Sequence, residues 1–178
     1  RKRGGEPHRR CVAVVSTIAI AVLLGACSDD DPTSPIARVD EQVAFIDNIV
    51  PHHEIANMMA DEAFAKATRQ WFRDFARRMM EDQTREIAEY REIRDSLTGI
   101  DTTPPPMRPE PMPAGADFDR RWILMMVAHH QGAINNATLA HGSGVRSRLD
   151  SLAHHTIEEQ REEQEELLDS LQVWYGGR

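Results

Sequence analysis

Cysteine is almost absent from this chain of 178 residues, which has only Cys11 and Cys27. Beyond Cys27 neither a disulfide nor a thiolate metal site can form. Positive charge is scarce as well. Five of the 21 Lys and Arg residues and one of the 29 Asp and Glu residues precede Cys27, which leaves the rest of the chain with a net charge of −12. A surface of that sign offers no positive field to nucleic acid or to anionic lipid. Long apolar runs are missing apart from Val12 to Leu24, which is too short for a permanent bilayer span. Strand-like alternation of apolar and polar residues is absent, so an all-α fold is expected.

The single apolar run follows Arg1, Lys2, Arg3, Arg9 and Arg10 and ends at Leu24, Gly25, Ala26 and Cys27. A basic segment, a short apolar segment and small residues at the end read as a secretory signal over residues 1–26. The end of the run resembles the lipobox of bacterial lipoproteins. That resemblance implies that Cys27 becomes the lipidated first residue of an exported protein, anchored to a bacterial membrane in the periplasm or at the cell surface. An ordinary signal peptide or an uncleaved anchor is the alternative. Cleavage before Cys27 would leave 152 residues, enough for one domain. Residues 27–39, with Pro32, Ser34 and Pro35, read as a flexible tether, and residues 40–176 as the domain.

Sliding the sequence by 77 positions superimposes it on itself without a gap. Ile46 meets Ile123, Val50 meets Val127, His52 and His53 meet His129 and His130, Ala56 meets Ala133, and Gln83 and Glu86 meet Gln160 and Glu163. The domain is therefore a duplication, with repeats over about 40–98 and 117–175. Each repeat carries two helical stripes. Phe45, Ile49, His52, Ala56, Met59 and Ala63 alternate at spacings of four and three, as do Trp122, Met126, His129, Ala133, Asn136 and Ala140. The second stripes run through Phe72, Phe75, Met79, Gln83, Ile87, Tyr90 and Leu97, and through Leu149, Leu152, Thr156, Gln160, Leu167, Leu171 and Trp174.

Short breaks near Lys66 to Thr68 and at Gly142, Ser143 and Gly144 fold each pair into an antiparallel hairpin. The Pro-rich connection 99–116 between the repeats excludes a helix. Two hairpins, each with an exposed apolar stripe, bury it against one another, which predicts a four-helix bundle with an Ala-rich and Met-rich core. Pro51 lies inside the first stripe. The helix is expected to continue through it with a kink beside the first His pair, a helix start at Pro51 being the alternative.

Two His-His pairs, each followed by Ala and by a Gln-x-x-Glu on the next helix, carry the chemistry. With this pattern, and with Phe118-Asp119-Arg120 and Met125-Met126 leading into the second pair, the chain resembles the family catalogued as Domain of Unknown Function 305, which includes copper-binding members of the CopM type. The resemblance covers roughly residues 40–171. It implies a ferritin-like four-helix bundle, usually exported, with copper or another metal bound and no settled enzymatic activity. The chain departs from the pattern where Met59 becomes Asn136 in the second repeat, and where Tyr90 and Leu167 stand in place of the Met that often follows Gln-x-x-Glu.

Read without the family, neutral imidazole is a borderline ligand for copper and zinc, and thioether favours Cu(I). The candidate metal ligands are His52, His53, His129 and His130, with Met59 and Met126 as the methionines on or beside those faces. Gln83, Glu86, Gln160 and Glu163 are candidates to orient them. Adjacent helical residues point about 100° apart, so His52 and His129 are expected to face inward, and His53 and His130 to lie at the seam with the neighbouring helix. His154 and His155 face Arg77 and Arg78 in the other repeat and read as surface or accessory residues. His141 reads as a cation at a helix end.

Three functions are compatible with this pattern. The leading one is a non-catalytic metal-binding lipoprotein outside the cytoplasm, for copper sequestration or handling. The second is a structural or interaction module of the cell envelope, its histidines forming a satisfied polar layer. The third is a dinuclear metal oxidase, which normally needs Glu-x-x-His motifs that this sequence lacks.

Overall fold

The computed structural model describes residues 35–141 and 145–176. The expected signal segment, Cys27 and the Gly142 to Gly144 break lie outside the described residues. Four helices follow in order: α1 (Pro35–Lys66), α2 (Gln70–Thr98), α3 (Phe118–Ala140) and α4 (Ser147–Tyr175). α1 packs along α2 and α3 along α4, giving the two hairpins expected from the repeat; α1 also packs on α3, and α2 on α4. None of these helices is long and apolar enough to cross a membrane.

α1 begins earlier than the sequence suggested and takes in residues 35–39 of the expected tether. Pro35 occupies its first turn, where the missing N–H is not needed and the fixed φ favours the helix. The helix also runs through Pro51, which rules out a start there. α2 and α4 stop at the repeat-equivalent glycines Gly99 and Gly176, whose φ of 72° and 64° are left-handed. Their N–H groups return to the carbonyls of Asp95 and Gln172.

Contacts between the hairpins fix their relative direction. Trp122 Nε1 donates to the Met59 carbonyl at 2.7 Å, and the rings of His52 and His129 meet, so α1 and α3 run antiparallel. Between α2 and α4, Arg78 meets Glu166, Tyr90 meets Thr156, and Arg148 meets Glu92, again in opposite directions. The two repeats are thus related by an approximate two-fold axis. It passes between His52 and His129 on one side of the bundle and at the level of Gln83 and Gln160 on the other.

The hairpin ends are clasped across this axis. Asp119 of α3, 1 % exposed, accepts from Thr68 N, Thr68 Oγ1 and Arg69 Nη1 in the α1–α2 turn. Its repeat counterpart, Gln42 of α1, accepts through Oε1 from Arg146 N at the start of α4. Each hairpin therefore closes the turn of the other.

Two large apolar clusters fill the bundle on either side of its middle, and a smaller one, Ile134, Ala137, Ala153 and Ile157, lies between α3 and α4. One joins Ala56, Met59 and Ala63 to Phe72, Phe75, Met79, Phe118, Trp122, Met126 and Leu167. The other joins Ile46, Ile49 and Val50 to Ile87, Tyr90, Ile93, Leu149 and Leu152. Besides the expected Ala and Met, the largest fully buried side chains are aromatic, Trp122, Tyr90, Phe72, Phe75 and Phe118. Small residues on α1 and α3 leave the room that these rings fill. Truncating Trp122 to Ala would cost about 3–5 kcal/mol in lost burial and the cavity left behind.

Candidate metal centre

Near the middle of the bundle every helix contributes polar side chains. α1 places His52 and His53 there, α2 Gln83 and Glu86, α3 His129 and His130, and α4 Gln160 and Glu163. The helical period brings each Gln and Glu, three residues apart, onto one side of its helix. The antiparallel hairpin sets each Glu opposite a histidine. His53 Nε2 lies 2.8 Å from Glu86 Oε2, and His130 Nε2 lies 2.8 Å from Glu163 Oε2.

The orientation of the pairs is the reverse of the sequence expectation. His53 and His130 are fully buried, each against the second helix of its own hairpin. His52 and His129 are partly buried and meet at the α1–α3 seam, ring centroids 3.7 Å apart and planes inclined by 38°. The buried face of α1 is wider than the stripe containing His52, because α2 and α3 cover it from two directions and enclose Ile46, Val50, His53 and Ala60 as well. Gly132 makes room for the seam: a Cβ there would sit 3.1 Å from His52 Nε2.

This layer is polar but poorly satisfied. Among the described residues, His52 Nδ1, His53 Nδ1, both nitrogens of His129, His130 Nδ1, both amide atoms of Gln83 and Gln160 Oε1 are buried without a hydrogen-bond partner. His130 Nε2 approaches Glu163 closely, yet its direction is not that of a hydrogen bond. Native interiors leave few such groups unpaired, and each costs about 1–3 kcal/mol. A layer satisfied purely within the protein, the alternative raised by the sequence, is not what these residues form.

Burial also keeps His52, His129 and His130 in their ligating state. It holds His52 down at about 4, with His53 and His130 adding to the effect. His129 falls to about 2 by burial and then by His52, and His130 to about 3 by burial and then by His53. A neutral imidazole keeps a lone pair for a metal. Where Nε2–H of His53 is engaged by the Glu86 carboxylate, that lone pair resides on the unpartnered Nδ1.

The two carboxyl groups differ because the repeats differ beside them. Glu86 Oε1 accepts from the Thr156 hydroxyl, which in turn meets Tyr90 OH at 2.8 Å. The repeat counterparts of Thr156 and Tyr90 are Met79 and Leu167, both apolar and fully buried. Glu163 is pushed up to about 8, by burial first and by the nearby Glu86 second. It is protonated at neutral pH, so its contact with His130 joins two neutral groups.

Met59 and Met126 belong to the aromatic cluster that bounds the layer. His141 pairs through Nδ1 with Asp150 at 2.8 Å, in keeping with its place at a helix end. Neither Thr156, which holds Glu86, nor His155 stands out in the sequence as a site residue. Glu86, His155 and Glu159 are the one group of three His, Asp or Glu ligand atoms within 4.8 Å of one another among the described residues. Their grouping spans α2 and α4, which periodicity along one helix could not reveal. The i,i+4 spacing of His155 and Glu159 was the only trace of it in the sequence.

The chain matches the family described as Domain of unknown function (DUF305) over residues 33–94 and 104–171. Among solved structures, CopM in the Cu(I)-bound form superposes with a TM-score of 0.64 at 30% identity, covering 76% of this chain and 98% of that one. For CopM in the Cu(II)-bound form the TM-score is 0.68 at 28% identity, over 75% and 97%. A DUF305 fragment from Deinococcus radiodurans shares the fold, with a TM-score of 0.59 at 20% identity over 79% and 97%. No curated protein matches the sequence. The two matched segments follow the two hairpins, and the chain belongs to the DUF305 family, of the CopM type.

Proposed function

We propose that this protein binds copper between its two hairpins and so sequesters the ion or passes it on outside the cytoplasm, held to a membrane by a lipid on Cys27. The observation that carries the metal assignment is the layer of buried imidazoles with unpartnered nitrogens, three of them held neutral, set between two large apolar clusters. His52, His53, His129 and His130 would hold the ion, while Gln83, Gln160, Glu86 and Glu163 orient them. Met59 and Met126 bound the layer on one side. Imidazole donors without thiolate suit copper in an oxidising compartment, and copper stands at the top of the divalent affinity order. The copper-bound forms of CopM support the same choice. Export and lipidation rest on the basic, apolar and small-residue succession before Cys27.

Competition of the protein against a chromophoric Cu(I) chelator tests the assignment. Tight uptake is expected, and His52→Ala combined with His129→Ala should abolish it. Unchanged uptake in the double variant would remove this centre. Membrane fractionation before and after Cys27→Ala tests the anchor: the variant should move to the soluble fraction.

A further inference from the structure

Outside the imidazole layer, the α2–α4 seam carries a second group of ligand atoms. His155 and Glu159 stand one turn apart on α4, with Nε2 and Oε1 3.1 Å from each other. Glu86 reaches them from α2, and one ligand atom from each of the three lies within 4.8 Å of the other two. Their exposure is graded: the Glu86 side chain is buried, Glu159 partly exposed, and His155 largely open. Glu86 is also held in place, because the Thr156 hydroxyl donates to Oε1 and is itself met by Tyr90 OH. An anchored carboxylate with an imidazole and a second carboxylate at its outer edge is the donor set of an open, three-ligand divalent site.

The repeat supplies an internal comparison. The counterparts of Glu86, His155 and Glu159 are Glu163, Arg78 and Asp82. In that half a permanent cation, Arg78, takes the histidine position and pairs with Glu166 at 2.7 Å. Arg85 pairs with Asp82 there. The chain thus has a titratable nitrogen ligand at one end of the seam and a fixed guanidinium at the other.

We propose that Glu86, His155 and Glu159 form a second metal site, specific to one half of the molecule, which takes a borderline divalent ion such as Zn(II) or Cu(II) with water completing the coordination. One imidazole and two carboxylates do not favour Cu(I) or Ag(I). The site stands independently of the copper reading, although Glu86 touches both layers.

Calorimetric titration of Zn(II) into protein already saturated with Ag(I) tests it, the silver occupying the imidazole layer. One equivalent of Zn(II) is expected to bind. His155→Ala and Glu159→Gln, both on the accessible side of α4, should each weaken it by about tenfold or more, since loss of an outer-shell partner alone costs that much. No Zn(II) uptake, or Zn(II) uptake unaltered in His155→Ala, would overturn the proposal. A failure of Ag(I) to bind would count against the imidazole layer instead, and the dependence of Zn(II) uptake on His155 would still decide for or against this site.

Discussion

His52 and His129, equivalent residues of the two repeats, meet across the α1–α3 seam with ring centroids 3.7 Å apart. Both are held neutral by burial, and three of their four ring nitrogens are buried without a partner. Such a pair does little for the stability of the folded chain. Its arrangement makes sense as a set of donors kept free for a ligand that arrives later.

Replacing His129 by Leu should separate stability from binding. Neither ring nitrogen of His129 has a partner, so the native side chain carries a desolvation cost of about 1–3 kcal/mol that leucine would not. His129→Leu should unfold at higher urea concentration than the parent when both are metal-free, by about 1 kcal/mol. Its Cu(I) uptake should fall. A loss of stability would mean that the imidazole is a structural partner.

The metal-free protein should be most stable near pH 6.5. His52, His129 and His130 bind a proton less tightly when folded than their ordinary value of 6.5 allows. Their contribution is complete above that pH and is lost as pH falls below it, because the unfolded chain takes up protons first. Glu163 acts in the opposite sense. Its folded value of about 8 exceeds the ordinary 4.5, so the stability it gives at low pH declines as pH rises through that interval. Urea unfolding from pH 5 to 8.5, a range set by these values, should show both limbs. Glu163→Gln should flatten the alkaline limb and steepen the acid one.

Gly132→Ala should impair metal uptake without unfolding the protein. Alanine in place of glycine favours a helix by about 1 kcal/mol. The new Cβ, however, lies 3.1 Å from His52 Nε2 and forces the ring aside. Circular dichroism should show a retained melting transition, and the Cu(I) competition assay a weakened affinity.

Asp119→Ala should be the converse variant. Asp119 is buried and accepts three hydrogen bonds from the α1–α2 turn, one from Arg69. Removing it leaves the Thr68 amide unpaired and takes the carboxylate from Arg69, which keeps Tyr175 OH as a partner, a loss of about 1–3 kcal/mol. Urea unfolding should show that loss, while the fraction still folded takes up Cu(I) as before.

The helices, the hairpins and their duplication were legible because apolar period, proline and glycine act locally. Gly99 and Gly176 end their helices by local backbone geometry, and the 77-residue offset places them in register. The start of α1 was misplaced because Pro35 reads as a breaker when seen in a polar stretch, yet suits a first helical turn. The four histidines were recognisable as a set, but their directions were not. His53 faces α2 and His52 faces α3, and which neighbour covers which flank of α1 is decided by tertiary packing. The different surroundings of Glu86 and Glu163 likewise depend on Thr156 and Tyr90 of facing helices, which no single stripe displays.

X-ray absorption of the Cu(I)-loaded protein at the copper edge tests the central claim most directly. Backscattering from imidazole rings is expected in the parent protein, and it should disappear with the bound copper when His52 and His129 are both changed to Ala. A spectrum dominated by sulfur, or an imidazole signal that persists in the double variant, would contradict the account.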